Sequence, residues 1–150
     1  MKYIRKAEPR DISRIAEILI FTKRMHYRHI FQDDTVSFGK MQVVPLACEY
    51  ESDLKRLGHI WVYDDEFVKG MIHIENGEIA ELYVEHFFQG AGIGRKLVEF
   101  AIREFDADYL WVLEKNEQAI RFYQRCGFER TNERKLNEGT PEYVVKMCRA

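Results

Sequence analysis

Cysteine and proline are scarce in this 150-residue chain, at three each, and no apolar run is long. Cys48, Cys126 and Cys148 are odd in number and widely spaced, so they form neither a CxxC pair nor a disulfide framework, which points to a reducing, cytoplasmic location. The longest apolar stretches fall far short of the ~20 residues a bilayer span needs, and Met1-Lys2-Tyr3-Ile4-Arg5-Lys6 lacks the apolar core of a signal peptide. Neither sign of charge dominates. With 23 basic against 25 acidic side chains, a formal charge of −2 and no block of like charge, the chain offers nucleic acid no attractive field. Linkers, repeats and low-complexity tracts are missing as well. What is present is 46% hydrophobic residues and 13% aromatics, enough to exclude disorder and to bury the core of a single domain over residues 1–150.

The spacing predicts a short strand over 2–6, then a helix opened by Pro9-Arg10-Asp11, with Ile12, Ile15, Ile18, Leu19 and Met25 on its apolar face, running to about His26. Residues 27–36 have no clear period and suggest a loop. A weaker helical pattern spans 37–56, where Pro45 argues against a continuous helix. From Gly58 the period becomes two. A strand at 59–63, a turn at Asp64-Asp65 and a strand from Phe67 to Ile74 are followed by Asn76-Gly77, a tight-turn pair suited to positive φ, and a strand from Glu78 to Val84. A glycine-rich segment at 89–94 then opens a helix to about Phe105. Beyond it come a strand at Tyr109–Leu113, a short helix from Glu117 to Cys126 closed by Gly127, and strands from Phe128 to about Arg134 and from Tyr143 to Met147. An antiparallel meander leading into one β-α-β unit is a mixed α/β layout.

The glycine-rich segment carries the chemistry. Glycines allow positive φ and close approach of a ligand to the amides, and a helix start with unpaired N–H groups suits an anion such as phosphate. Arg95 and Lys96 stand in the first turn, where the helix dipole by itself prefers acids, so an anionic ligand is expected nearby. A flexible loop with solvated basic residues is the bland alternative. The Walker pattern fails because Arg95-Lys96-Leu97 follows Gly94. The dinucleotide pattern fails on Arg95 where its third glycine belongs, although Glu114 stands where a ribose-binding acid would.

Gln89-Gly90-Ala91-Gly92-Ile93-Gly94, following the strand that ends at Val84, resembles the acyl-CoA loop (Gln/Arg-x-x-Gly-x-Gly/Ala) of the GNAT acetyltransferases. Asn116-Glu117-Gln118-Ala119-Ile120-Arg121-Phe122-Tyr123-Gln124-Arg125-Cys126-Gly127-Phe128 resembles that family's second motif, and the two lie in the right order, 22 residues from Gly94 to Asn116. The resemblance implies a central mixed, mostly antiparallel sheet of about six to seven strands flanked by about four helices. It implies acetyl transfer from acetyl-CoA, as cosubstrate and without metal, to a primary amine of unstated identity by direct attack in a ternary complex. Dimers are common in the family. A non-catalytic coenzyme A-binding module on the same fold is the alternative, with a dinucleotide-binding enzyme as a remote third.

By that resemblance, main-chain N–H groups of Gln89, Gly90, Ala91, Gly92, Ile93 and Gly94, with Arg95, would hold the pyrophosphate, and Leu82, Tyr83 and Val84 would pair with the pantetheine arm. An N–H near Leu82 or Tyr83 would meet the thioester oxygen. Asn116 would contact the pantetheine or simply cap its helix. Ala119 and Phe122 share a helix face with Tyr123, whose hydroxyl would protonate the departing thiolate, or which would merely be core. Glu78 and Glu81 are the candidate bases for the ammonium acceptor. Three residues apart, they point to opposite faces of a regular strand unless a bulge intervenes, and Glu81 ranks slightly ahead. His26, His29, His73 and His86 show no metal-ligand spacing; His26 and His29, with Tyr27 and Phe31, stand where the resemblance puts the acceptor pocket, or are solvated residues at a helix end.

Overall fold

The computed structural model describes residues 2–149. Its strands are β1 (Ile4–Lys6), β2 (Ile60–Asp65), β3 (Phe67–Glu75), β4 (Glu78–Val84), β5 (Tyr109–Leu113), β6 (Phe128–Leu136) and β7 (Tyr143–Arg149). The α-helices are α1 (Ile12–Phe31), α2 (Val43–Ser52), α3 (Leu54–Leu57), α4 (Ile93–Phe105) and α5 (Glu117–Arg125). The strands form one sheet in the order β1-β2-β3-β4-β5-β7-β6, antiparallel throughout except for the β4/β5 pair. This is the mixed, mostly antiparallel sheet that the sequence implied.

Alternation along β3 divides the core between the two faces of the sheet. Met71 packs with Ile12, Ile15 and Ile18 of α1 and with Tyr50 and Leu57 of α2 and α3. Ile72 and Ile74 face the other way, onto Ile93, Leu97 and Ala101 of α4 and Ile120 of α5. His73, between Ile72 and Ile74, therefore sits on the α1–α3 face, and it is buried.

Asn76 and Gly77 turn β3 into β4 with φ of 52° and 80°, as their residue types require. The β2/β3 reversal differs from expectation. It falls at Glu66 (φ 72°), and Asp64 and Asp65 belong to β2. Asp64 stays extended because its N–H donates to the Tyr3 carbonyl at 2.7 Å and its carboxylate accepts from Arg5 Nε at 3.0 Å.

The stretch after His26 is also more ordered than its composition suggests. Helix α1 continues to Phe31, since Tyr27, Ile30 and Phe31 pack on Trp111, Leu113 and Val144, contacts invisible to local periodicity. It stops at Gln32, which is left-handed at φ 51°. A π-helical turn follows at Thr35–Lys40, and Arg24 ties it to α1 by donating to the carbonyls of Ser37 and Met41 at 2.9 and 2.7 Å. The helical pattern of 37–56 thus divides into this turn, α2 and α3. Pro45 lies in the first turn of α2, where an N–H is not needed.

Candidate active site

Two irregularities in β4 build the site. First, β4 pairs with β5 only through Glu78↔Tyr109 and Ile79↔Leu110, after which the two parallel strands part. Second, β4 carries a bulge: Ile74 pairs with Ile79, yet the next pair is His73↔Glu81, so Ala80 is the extra residue. The bulge cancels one step of alternation. Glu78 and Glu81 therefore lie on one face of the sheet, contrary to the regular-strand expectation, together with Glu75 and His73 of β3. Glu81 lines the cleft opened by the parting strands, a cavity of about 770 Å³; Glu78 does not line it.

The Glu85 N–H donates to the Lys69 carbonyl at 2.9 Å, so beyond the bulge the odd-numbered residues Glu81 and Tyr83 address their main chain to β3. Leu82 and Val84 consequently present N–H and C=O groups to the gap. The Val84 carbonyl accepts from the Gln89 side-chain amide at 3.0 Å, which closes the turn at the end of the strand.

The glycine segment lies at the mouth of the gap. Gly90 and Gly92 adopt φ of 86° and 83°, and no protein atom stands within 4 Å of where a Cβ would project from either. Gly92 precedes α4, which has no side-chain cap and no acidic residue in its first turn. Its leading N–H groups are free for an anion. Gly94 packs instead: a Cβ there would lie 3.3 Å from the Phe122 ring, so this glycine lets α4 close on α5. Arg95 reaches Glu99 at 3.2 Å and lines the cleft with Gln89, Gly90, Gly92, Ile93 and Gly94, whereas Ala91 is exposed outside it.

Asn116 is the N-cap of α5, its Oδ1 accepting from the Ala119 N–H at 3.2 Å, and it also lines the cleft beside Ala119, Phe122 and Tyr123. The Tyr123 ring contacts Phe122 and Phe128, with centroids 5.1 and 6.1 Å away. Its phenol pKa is raised, by burial first and then by Tyr27 and Cys126. Tyr27 of α1 and Tyr83 of β4 join it in the gap. Burial raises both phenols, and the Tyr27 hydroxyl interacts with Tyr83 and Asn116.

Glu81 is the electrostatic centre. Its side chain is 16% exposed. Burial pushes its carboxyl up, but His73, Lys23 and Arg56 together outweigh burial and hold its pKa below the ordinary carboxylate range. Arg56 Nη2 lies 3.7 Å from it and His73 Nδ1 3.6 Å. On its other side, His73 Nε2 is 3.0 Å from Glu75. Burial lowers the His73 pKa, and the two carboxylates more than reverse that. The Tyr50 hydroxyl and His73 Nδ1 are buried without hydrogen-bond partners. Among the described residues no group of three or more His, Cys, Asp or Glu side chains is placed to hold a metal ion. Nor is any helix there long and apolar enough to cross a membrane.

Sequence reasoning missed Lys23, Arg56 and His73, whereas Tyr27 and Phe31, placed beside the expected acceptor pocket, do line the cleft. Only His73 left a local signal: the Asn76-Gly77 turn fixes Glu75 opposite Glu78, which brings His73 near the 80–81 region.

Comparison with known proteins agrees with this geometry. Residues 56–130 match the model of an acetyltransferase (GNAT) domain. The chain is 28% identical over 113 residues to the peptidyl-lysine N-acetyltransferase YjaB of Escherichia coli, covering 69% of this chain and 77% of that protein. It is also 28% identical over 102 residues to the spermine/spermidine N(1)-acetyltransferase of Bacillus subtilis, covering 62% of this chain and 64% of that relative, just under two thirds of its length. Among solved structures, apo-form YjaB from Escherichia coli superposes with a TM-score of 0.71 at 23% identity, over 97% of this chain and 95% of that one. The PaiA N-acetyltransferase of Thermoplasma acidophilum, in complex with coenzyme A, gives 0.66 at 19% identity, over 95% and 96%.

Proposed function

The chain belongs to the GNAT acetyltransferase family and moves an acetyl group from acetyl-CoA to an amine, and on that premise we propose that Glu81, Leu82 and Tyr123 carry the reaction in the gap between β4 and β5. The observation that carries the reading is the parting of these strands directly beside a partly buried, ionised carboxylate.

In this reading the pyrophosphate of acetyl-CoA lies on the free N–H groups at the start of α4, with Arg95 beside it. The open space at Gly90 and Gly92 suits the close approach this demands. The pantetheine arm pairs with the main chain of Leu82 and the N–H of Val84, whose carbonyl is taken by Gln89, as an added strand would. Alternation favours Leu82 over Tyr83 as the N–H donor to the thioester oxygen when it gains charge in the tetrahedral intermediate.

An amine acceptor is mostly ammonium at neutral pH, with a reference pKa of about 10.4. Glu81, held ionised, first attracts the ammonium and then takes its proton; the freed lone pair attacks the thioester carbon. The C–S bond breaks as the intermediate collapses. The thiolate leaves with the Tyr123 hydroxyl donating to it, and the second proton of the former ammonium leaves nitrogen as the amide forms and restores the proton delivered to sulfur, while Asn116 keeps its capping role. No cysteine or serine is required as a covalent nucleophile. Three free thiols, Cys48, Cys126 and Cys148, are consistent with a reaction in the reducing cytoplasm, where we place it.

The test is thiol release from acetyl-CoA, followed with and without a primary amine. Release that depends on the amine, with acetyl-amine formed in equal amount, is expected. Tight acetyl-CoA binding without transfer to any amine would identify a binding module instead.

A further inference from the structure

We infer that the acceptor is a primary amine on an apolar stem with no second cation near the reacting nitrogen, an inference that rests on the acyltransferase reading above. The far wall of the cleft, away from the glycine segment, is built mainly of apolar side chains, with Asn137, Glu138 and Thr140 of the β6–β7 connection beside them. Phe31 at the end of α1, Val36 and Met41 at the π-helical turn, and Trp111 and Val144 from β5 and β7 all line it. Ile30, Leu113 and Val144 form a small buried cluster on which Phe31 and Trp111 rest, so the wall is braced by packing.

The charges in the cleft fit one ammonium rather than several. Arg95 and Arg125 stand on the α4 and α5 side, with the anion site. At the acceptor end the acidic lining residues are Glu81 and Glu138, and Glu138 is exposed in the β6–β7 connection. Lys23 also lines the cleft, its charge acting on Glu81 and its ammonium 5.9 Å from the centroid of the Tyr83 ring. His26 also lines this end, and its pKa is lowered, chiefly by burial and then by His86 and His29. An ammonium that reaches Glu81 finds its counter-ion. A second ammonium along the same chain finds Lys23, the apolar side chains and the neutral Asn137 and Thr140, while the other lining carboxylate, Glu138, is exposed to solvent. The unpaired charge would be desolvated for no return, so polyamines are discriminated against. Either a lysine side chain, with its four methylenes, or a free arylalkylamine supplies the required stem.

The experiment compares kcat/KM at saturating acetyl-CoA for Nα-acetyl-lysine methylamide, phenethylamine and spermidine. The wild type is expected to favour at least one monoamine over spermidine by about tenfold or more. Which monoamine is preferred separates a peptide-borne lysine from a free amine. Lys23→Gln should narrow the monoamine-to-spermidine ratio, a readout insensitive to any general loss of rate. Phe31→Ala should raise KM for the monoamines and leave KM for acetyl-CoA unchanged. Spermidine used as well as or better than both monoamines overturns the inference and leaves the acyltransferase reading standing. Transfer to none of the three, with acetyl-CoA bound, overturns both.

Discussion

His73 and Glu81 stand directly opposite each other across the β3/β4 ladder, with Nδ1 3.6 Å from Oε1. That separation suits an ion pair better than a hydrogen bond, and it makes His73 one of the groups that set the base strength of Glu81. Removing the imidazole removes a cause that lowers the Glu81 pKa. For His73→Gln the acid limb of the pH profile of kcat/KM should therefore move to higher pH, while KM for acetyl-CoA stays put. An unmoved acid limb would disconnect His73 from catalysis.

The same pair makes a pH-dependent contribution to stability. His73 has a raised pKa in the folded chain, so its contribution is full below its unfolded value, about 6.5, and fades as pH rises through the folded one. Glu81 has a lowered pKa, so its contribution is full above its unfolded value, about 4.3, and fades as pH falls through the folded one. The loss of Tm on His73→Gln should be largest in the window of about pH 5–6 and smaller at about pH 9. A pH-independent loss, measured by thermal melts across this range, would assign the residue to packing alone.

Much of this site could be read from the chain. The spans Glu78–Val84 and Tyr109–Leu113 agree with their patterns residue for residue, and the Asn76-Gly77 turn and the start of α4 follow from local chemistry. What could not be read was set by distant contacts. The Ala80 bulge is a mismatch between two strands, so the spacing of Glu78 and Glu81 alone gives the wrong facing. The last turn of α1 is held by Leu113 and Val144, more than eighty residues on, so the helical setting of Tyr27 was hidden in a stretch with no period of its own. Pro45 masked α2 only because its place in the first turn was unknown.

At Gly92 the backbone is left-handed, and the space beside it is open. Gly92→Val should cost about 1–2 kcal/mol of stability from the forced conformation and still give a folded protein. Its β-branched side chain would occupy the space assigned to the pyrophosphate. Acetyl-CoA at a hundredfold excess over Kd should stabilise the wild type by ~2.7 kcal/mol, and the variant much less. Equal affinities by calorimetry would place the cofactor elsewhere.

Tyr123→Phe removes one oxygen and keeps the ring contacts with Phe122 and Phe128. The raised phenol pKa makes full proton transfer to a thiolate uphill, taking the thiol value of about 8.5 as a guide. Turnover should therefore fall by about 10²-fold, the low end for general acid catalysis, with little change in acetyl-CoA affinity. Tyr27→Phe, measured alongside, tests whether its neighbour supplies the proton instead. Wild-type turnover in Tyr123→Phe together with a large loss in Tyr27→Phe would reassign the role.

The most direct measurement is the steady-state rate of acetyl-amine formation by Glu81→Gln, with product identified by mass and coenzyme affinity measured in parallel. Glutamine keeps the shape of the side chain in the β4 bulge and removes its charge and basicity. The rate at neutral pH should fall by about 10²–10⁴-fold, with acetyl-CoA bound as in the wild type and part of the loss recovered at high pH, where the amine arrives unprotonated. A variant that acetylates the same amine at the wild-type rate across the pH range would contradict the account.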